Sequence, residues 1–315
     1  MSEHIERFPV AARAAVHYQP CEACGSAEFA PRFELDELRV VRCRGCGLQQ
    51  VNPRPDSETL RARYPESYFI NGYLPDVIDS TRNHRARAFR RGLSDLRRLR
   101  PARDSHRDGG PGGRLLDVGC AVGFFLNLAR DAGYTCVGLE PSPMASQWAR
   151  EELGLEVVTG DLATADLPPQ SFDIITVWDV LHEQPDPLAM LRRIAALLVD
   201  DGILLIKVPD VECLPFRVIA AAYRLSGGRL RRGVRLFYQY QLHHFSKTTL
   251  AGALRRAGFS VIRQRNETHR NLGRLSEKRW GRSALVRCAV AGLTLASRAM
   301  GMEDEIVCYA SKRRT

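Results

Sequence analysis

The segment LLDVGCAVGFF, residues 115–125, constrains this chain more than any other. An apolar run closes on Asp117, glycines stand at 119 and 123, and an apolar helix start follows. A strand that ends in small residues at the mouth of a helix leaves room for a ligand against the backbone. In open α/β sheets that ligand lies beyond the carboxyl ends of the strands, and the first strand–helix turn is its usual contact. From Leu115 onward, apolar periodicity predicts strands at 114–119, 134–139, 155–159, 172–178 and 202–208. Helices fit between them at 122–132, 143–153 and 186–199. KTTLAGALRRAGFSVIRQR supplies a further helix–strand pair, and DEIVCYASK at 304–312 a last strand. Such alternation implies parallel βαβ units and a doubly wound, mostly parallel α/β sheet. Two insertions, 211–242 and 268–302, are expected near the open mouth of the sheet.

The turn is not a dinucleotide fingerprint, which needs glycine at the first, third and sixth places. Gly119 takes the first, but Ala121 stands third and Phe124 sixth. The segment reads D-x-G-x-A-x-G instead. Glu140 closes the second predicted strand, YTCVGLE, 21 residues beyond Gly119, and Pro141 follows it. An acid at that place can accept hydrogen bonds from both hydroxyls of a ribose. Asp161, in VVTGDL, is placed to reach an adenine amino group. The same residues also suit a tight packing turn with two exposed caps, and the turn alone does not decide between these readings.

Cys21 and Cys24 are followed, after eighteen residues, by Cys43 and Cys46. Two C-x-x-C-G units at this spacing suit a four-cysteine zinc site, with Gly25 and Gly47 letting the backbone turn tightly at each knuckle. Four thiolates leave no open position, so the ion would be structural, and its binding would supply folding energy to a segment too short to bury much apolar surface. The other five cysteines fall in apolar contexts and read as core residues.

The 315 residues suit one large domain and a small one. Residues 1–18 read as a flexible tail, 19–66 as the zinc-ribbon-like domain and 67–112 as a basic helical segment and linker. In that segment, 80–104 is predicted helical, with Ala86, Phe89, Leu93, Leu96 and Leu99 on one face. Residues 113–315 form the α/β domain. The formal net charge of +10 points to anionic partners. The N-terminal stretch has no apolar signal region, and no uncharged apolar run reaches the ~18 residues of a membrane span. A cytoplasmic protein is expected. SALVRCAVAGLTLASRAM, 283–300, is apolar around most of a helix and follows Lys278, Arg279 and Arg282. It suits a packed lid or, with 278–300 taken together, a peripheral contact with an anionic membrane surface.

Residues 113–209 resemble the class I S-adenosylmethionine-dependent methyltransferases, whose sheet is Rossmann-like. LLDVGCAVGFFLNLAR is similar to that family's first motif and FDIITVWDVLHEQPDP to its fourth-strand motif. LLVDDGILLIKVPD and HHFSKTTLAGALRRAGF are similar to later segments. The resemblance implies S-adenosylmethionine as cofactor. Asp117 would hold its ammonium; Gly119, Ala121, Gly123 and Phe124 would shape the bed of the methionine moiety. Glu140 and Pro141 would border the ribose, Asp161 the adenine, and Trp178 or Asp179 the reacting end. An oxygen or carbon acceptor must lose a proton, so a base is expected near the mouth. His243, His244 and His182 are the candidates, with Tyr240 beside them, and the adjacent pair 243–244 is favoured. Relatives more often carry Leu-Glu-His where this chain has LHE at 181–183.

Zinc-ribbon methyltransferases of this arrangement resemble enzymes that modify sugars, glycans or secondary metabolites. A small-molecule or glycan acceptor is therefore expected, with the positive charge meeting phosphate on it. An RNA acceptor is the second reading. It is opposed by the ribbon segment SAEFAPRFELDELRVV, whose four acids outnumber two arginines. A binding module that keeps the nucleoside pocket without catalysis is the third.

Overall fold

The computed structural model describes residues 19–35, 38–54, 84–100, 112–231, 233–234, 241–268 and 284–313. The chain opens with β1 (Phe29–Leu35), β2 (Leu38–Cys43) and β3 (Gln49–Val51), each antiparallel to the next. Helix α1 (His84–Leu99) then leads into β4 (Arg114–Val118), α2 (Phe124–Asp131), β5 (Thr135–Glu140), α3 (Pro143–Leu153) and β6 (Val157–Thr159). Next come β7 (Phe172–Trp178), a single 3-10 turn at Leu181–Glu183, α4 (Pro187–Leu197) and β8 (Leu198–Pro209). The chain continues through α5 (Leu214–Leu225), β9 (His243–His244), α6 (Lys247–Arg256) and β10 (Phe259–Glu267), and ends with α7 (Ala284–Ala299) and β11 (Glu305–Lys312).

Seven strands form the main sheet in the order β10-β11-β8-β7-β4-β5-β6. The five strands from β8 to β6 run parallel, and β11 lies antiparallel between β8 and β10. This is the doubly wound, Rossmann-like arrangement the alternation predicts. Strand order reverses between β4 and β7, so ligand space opens above their carboxyl ends. The parallel strands are apolar on both faces because helices cover both. Leu93 and Leu96 of α1 and Phe125 of α2 pack with Leu115, Ile174 and Leu205 on one face. Leu191 and Ile194 of α4 and Leu250 and Leu254 of α6 pack with Leu116, Ile175 and Leu204 on the other. Each such fully buried side chain contributes ~1.5–3 kcal/mol of transfer free energy.

Side-chain caps start the helices where the sequence allows. Ser142 accepts from the Ala145 amide at 3.3 Å, with Pro143 at the first helical position. Asp186 accepts from Ala189 at 2.8 Å before Pro187. Ser246, the expected cap of α6, forms a reciprocal box with Thr249. Some boundaries differ from expectation. The helix predicted at 186–199 stops at Leu197, because Leu198 pairs with Phe172 and begins β8. The strand predicted from 155 begins at Val157.

His243 and His244 are not in a loop, as the sequence reading had them. They form β9 and extend the N-terminal sheet, Gln49 lying opposite His244 and Gln50 opposite His243. The ribbon is thereby stitched to the α/β domain, and the Val51 N–H donates across the seam to the Leu242 carbonyl, while within the α/β domain the Val211 N–H donates to that of Phe245. Phe33, Val40 and Val51 also pack on Phe216 and Ala220 of α5. Described residues of the segment 278–300 begin at 284. Helix α7 packs along α5 and leaves Leu295 and Met300 exposed. No helix among the described residues is long and apolar enough to cross a membrane.

Candidate active site

Asp117 ends β4 almost fully buried, its carboxylate accepting a 2.6 Å hydrogen bond from the Thr176 hydroxyl. Burial drives its pKa up to about 7; the Thr176 bond opposes this and the charge of Glu140 adds to it. The next residues reverse the chain with φ of +74° at Gly119, +49° at Ala121 and +78° at Gly123. A Cβ on Gly119 would lie 2.4 Å from Val180 Cγ2, and one on Gly123 would lie 2.5 Å from Leu155 Cδ1. Both glycines are thus fixed by close approach as well as by φ. Ala121 sits in the left-handed region at a cost of ~1–2 kcal/mol, offset by its N–H, which donates to Glu140 Oε2 at 2.9 Å.

Glu140 does more than wait for a ligand. Its Oε1 accepts from the Ser142 N–H at 2.9 Å, so one buried carboxylate ties the β4–α2 turn to the start of α3. Burial raises its pKa while these two amide bonds lower it. Each oxygen keeps a second lone pair for a ribose hydroxyl. Pro141 is exposed beside it, and Asp161 is exposed after β6, its carboxylate accepting from its own loop at Ala163 N.

A cleft beside the turn is lined by Asp117, Gly119, Phe124, Trp178 and Asp179, and by Arg85 and Phe89 from α1. Phe89 contacts three rings edge-on, with centroids 4.8 Å from Trp178, 5.3 Å from Phe125 and 5.5 Å from Phe124. The Trp178 indole N–H is buried and has no hydrogen-bond partner among the described residues, which leaves a donor for a ligand. Below it, Lys207 is 1% exposed, with Nζ 2.7 Å from the Asp179 carboxylate and 4.0 Å from that of Glu305. Burial works against its charge, but Asp179 and Glu305 together hold its pKa above the usual lysine value. Asp179 itself has φ +60°. Sequence reasoning missed Phe89's place over the turn and the buried lysine. The apolar spacing in the basic helix signalled a packed face but not its target, and a lysine within an apolar strand is a signal only once a partner is known.

None of the three histidines lines that cleft. The structure gathers them at the seam between the 3-10 turn after β7 and the ribbon. His182 Nε2 lies 3.6 Å from Glu183, and the His182 carbonyl accepts from Leu242 N–H at 3.0 Å. His243 is fully buried opposite Gln50. Burial pushes its pKa down to about 3, with the charges of Arg54 and His182 acting in the same direction. His244 Nδ1 pairs with Gln241 Oε1 at 3.0 Å, and burial likewise lowers its pKa. Tyr240 lies outside the described residues.

The sulfurs of Cys21, Cys24, Cys43 and Cys46 all lie within 4.8 Å of one another, and Cys21–Cys46 and Cys24–Cys43 are each at 3.5 Å. Edges of a tetrahedron with ~2.3 Å metal–sulfur bonds are close to this length, so the set fits zinc. Gly25 and Gly47 have φ of +75° and +83°, and their amides bond back to the Cys21 and Cys43 carbonyls at 2.6 and 3.0 Å. A hydrogen bond between Cys21 and Cys46 lowers the pKa of the Cys46 thiol and raises that of Cys21, with burial adding to the rise at Cys21.

Residues 82–264 match the family model described as a methyltransferase domain. A ubiquinone biosynthesis O-methyltransferase of Haemophilus ducreyi is 30% identical over 128 residues, 36% of this chain and 54% of that protein. One from Azorhizobium caulinodans is 25% identical over 201 residues, 61% of this chain and 70% of that protein. The chain spans about half the length of the first curated relatives it matches, 54% and 44%. Among solved structures, a Thermotoga maritima S-adenosylmethionine-dependent methyltransferase, described as a possible histamine N-methyltransferase, aligns with a TM-score of 0.50 at 19% identity. That alignment covers 81% of this chain and all of that one. The cyclase SpnF aligns with a TM-score of 0.53 at 21% identity, over 84% and 99%. The chain belongs to the methyltransferase-domain family, and its sheet is that of an S-adenosylmethionine-dependent methyltransferase.

The role that the resemblance gives Asp117, holding the cofactor's ammonium, implies a pH dependence. A cationic ligand pairs with the ionised carboxylate, and a pKa raised to about 7 means that below neutrality a proton must leave before the pair forms. Affinity for S-adenosylmethionine is expected to rise roughly tenfold between pH 5.5 and 7 and then level off. Calorimetry across that range checks it. Asp117→Asn should flatten the profile, and a flat wild-type profile would refute the assignment.

Proposed function

We propose that this protein transfers the methyl group of S-adenosylmethionine to an oxygen or carbon of a small-molecule or glycan acceptor in a biosynthetic pathway. One observation carries the cofactor: Glu140 and the Asp117–Gly123 turn form a single hydrogen-bonded unit at the switch point of a methyltransferase-family sheet. Asp117 would face the ammonium, Glu140 the ribose and Asp161 the adenine. When bound, the cofactor supplies an electrophilic methyl carbon whose leaving group is a neutral thioether. The chain's own work is alignment and exclusion of water, and Phe89, Phe124, Phe125 and Trp178 provide an apolar cover for both. O-methylation has the support of the relatives' names, at low identity and over part of each chain. Zinc in the four-cysteine cluster would be structural.

The acceptor's proton needs a base, and among the three histidines the geometry favours His182, a reversal of the preference for 243–244. It stands in the 3-10 turn four residues after the end of β7, and Glu183 at 3.6 Å can balance the positive charge that proton uptake creates. His243, deeper and without a carboxylate beside it, suits a neutral partner. His182→Ala is expected to lower turnover ~10²–10⁴-fold with cofactor affinity nearly unchanged. Labelled S-adenosylmethionine, tested with phenolic compounds, phosphorylated sugars and RNA, provides the assay. Labelling of RNA alone would overturn the small-molecule reading, and wild-type turnover by His182→Ala would remove His182 from the role.

A further inference from the structure

A second ligand space lies on the far side of β9 from His243. It is a groove of about 550 Å³ between the ribbon, α5 and the start of α6. Among the described residues, four arginines border it, Arg32 on β1, Arg42 on β2, and Arg217 and Arg224 on α5, with Glu212 the single carboxylate. Among the described residues, Arg42, Arg217 and Arg224 make no salt bridge; Arg42 and Arg224 reach only backbone carbonyls, at 3.4 and 3.3 Å. The walls are fixed, because Phe33 and Phe216 lock β1 to α5 with ring centroids 5.9 Å apart. The first turn of α6 presents Thr248 and Thr249 to the same space. Its positive helix end adds to the field of the guanidinium groups.

We propose that this groove holds the diphosphate of a phosphate-bearing acceptor. Three separate elements contribute arginines to the lining of one groove, which concentrates positive charge where an anion can bind. Guanidinium forks suit phosphate oxygens, and several forks converging from different directions suit a diphosphate better than a single carboxylate. The volume is within the range of small-ligand pockets. His244 lines the groove, and alternation along the strand turns His243, its neighbour, to the other face of β9. On this proposal, a molecule anchored here by its diphosphate would need to reach past β9 to the cofactor cleft, with which the groove shares no lining residue among those described. The ribbon is then part of the acceptor site. This assignment rests on the small-molecule reading above and narrows its substrate class.

Calorimetry on the full-length protein with inorganic pyrophosphate, UDP and farnesyl diphosphate tests it, alongside S-adenosylmethionine in the same samples. Pyrophosphate should bind, and the exposed α5 variants Arg217→Ala and Arg224→Ala should each weaken it about tenfold, the pair more, as expected for lost charge-assisted bonds. S-adenosylmethionine affinity should not change, which verifies folding and keeps failure of the groove distinct from failure of the cofactor assignment. Tighter binding of UDP than of pyrophosphate indicates a nucleotide-linked acceptor, and tighter binding of farnesyl diphosphate a lipid-linked one; either supports the proposal. No pyrophosphate binding at millimolar concentration overturns it. So does unchanged binding in the double variant, or a short RNA that outcompetes UDP through the same arginines.

Discussion

Gly119→Val is expected to abolish measurable S-adenosylmethionine binding, a loss of more than about 100-fold, or ~3 kcal/mol. The reason is local and double. At φ +74° a β-branched residue is strained, and its Cβ would stand 2.4 Å from Val180 Cγ2. Val180 is partly buried and packed against the core beside Leu181, and its β-branched side chain has few alternative rotamers. The β4–α2 turn must move instead, which breaks the bond from Ala121 N–H to Glu140. From the sequence alone, valine would be expected to fill the space of the methionine moiety; the structure adds a clash with the protein itself. Glu140→Ala should weaken binding less, by ~1–3 kcal/mol for a lost charged hydrogen-bond pair. Calorimetry with both variants decides the matter. Affinity within twofold of wild type in Gly119→Val would refute the placement of the cofactor.

Cys43→Ala is expected to abolish zinc binding and lower the thermal midpoint by about 10 °C or more, since zinc in the four-cysteine set would supply much of the ribbon's folding free energy. The consequence should reach further than a separate zinc domain would allow. Cys21, Cys43 and Leu48 share one apolar cluster with Leu181, Phe245 and Leu250 of the α/β domain, and β3 is the hydrogen-bonded neighbour of β9. Loss of the metal should therefore loosen the histidine seam and cut methyl transfer. S-adenosylmethionine affinity should persist, because Glu140 ends β5, beyond β4 and β7 from that seam. Elemental analysis, thermal unfolding and calorimetry on one preparation test all three parts. Wild-type protein purified without chelators and found to contain no zinc would end the argument.

Much of this was legible in the chain because the rules that fixed it act between near neighbours. The alternation of periods set parallel strands and their covering helices, and Ser246 with Thr249 three residues on set the cap of α6. Two glycines and an alanine set a turn that only small residues can make, and each C-x-x-C-G unit closes its own knuckle. Other features join residues distant in sequence, and no local rule orders them. Pairing of Gln50 with His243 turned an expected loop into a strand and moved two expected bases into a buried seam. The basic helix α1 laid Phe89 across Trp178 because its apolar face had to cover Leu205 and Tyr309. Lys207 could remain charged inside an apolar strand because the fold brought Asp179, just after β7, and Glu305 of β11 to it. Periodicity and spacing thus determined the elements and brought out the glycine turn and the four-cysteine set, while the resemblance gave the turn its expected cofactor. Tertiary packing alone decided which surfaces they share, since apolar burial is indifferent to sequence order and only chain-wide closure selects one pairing.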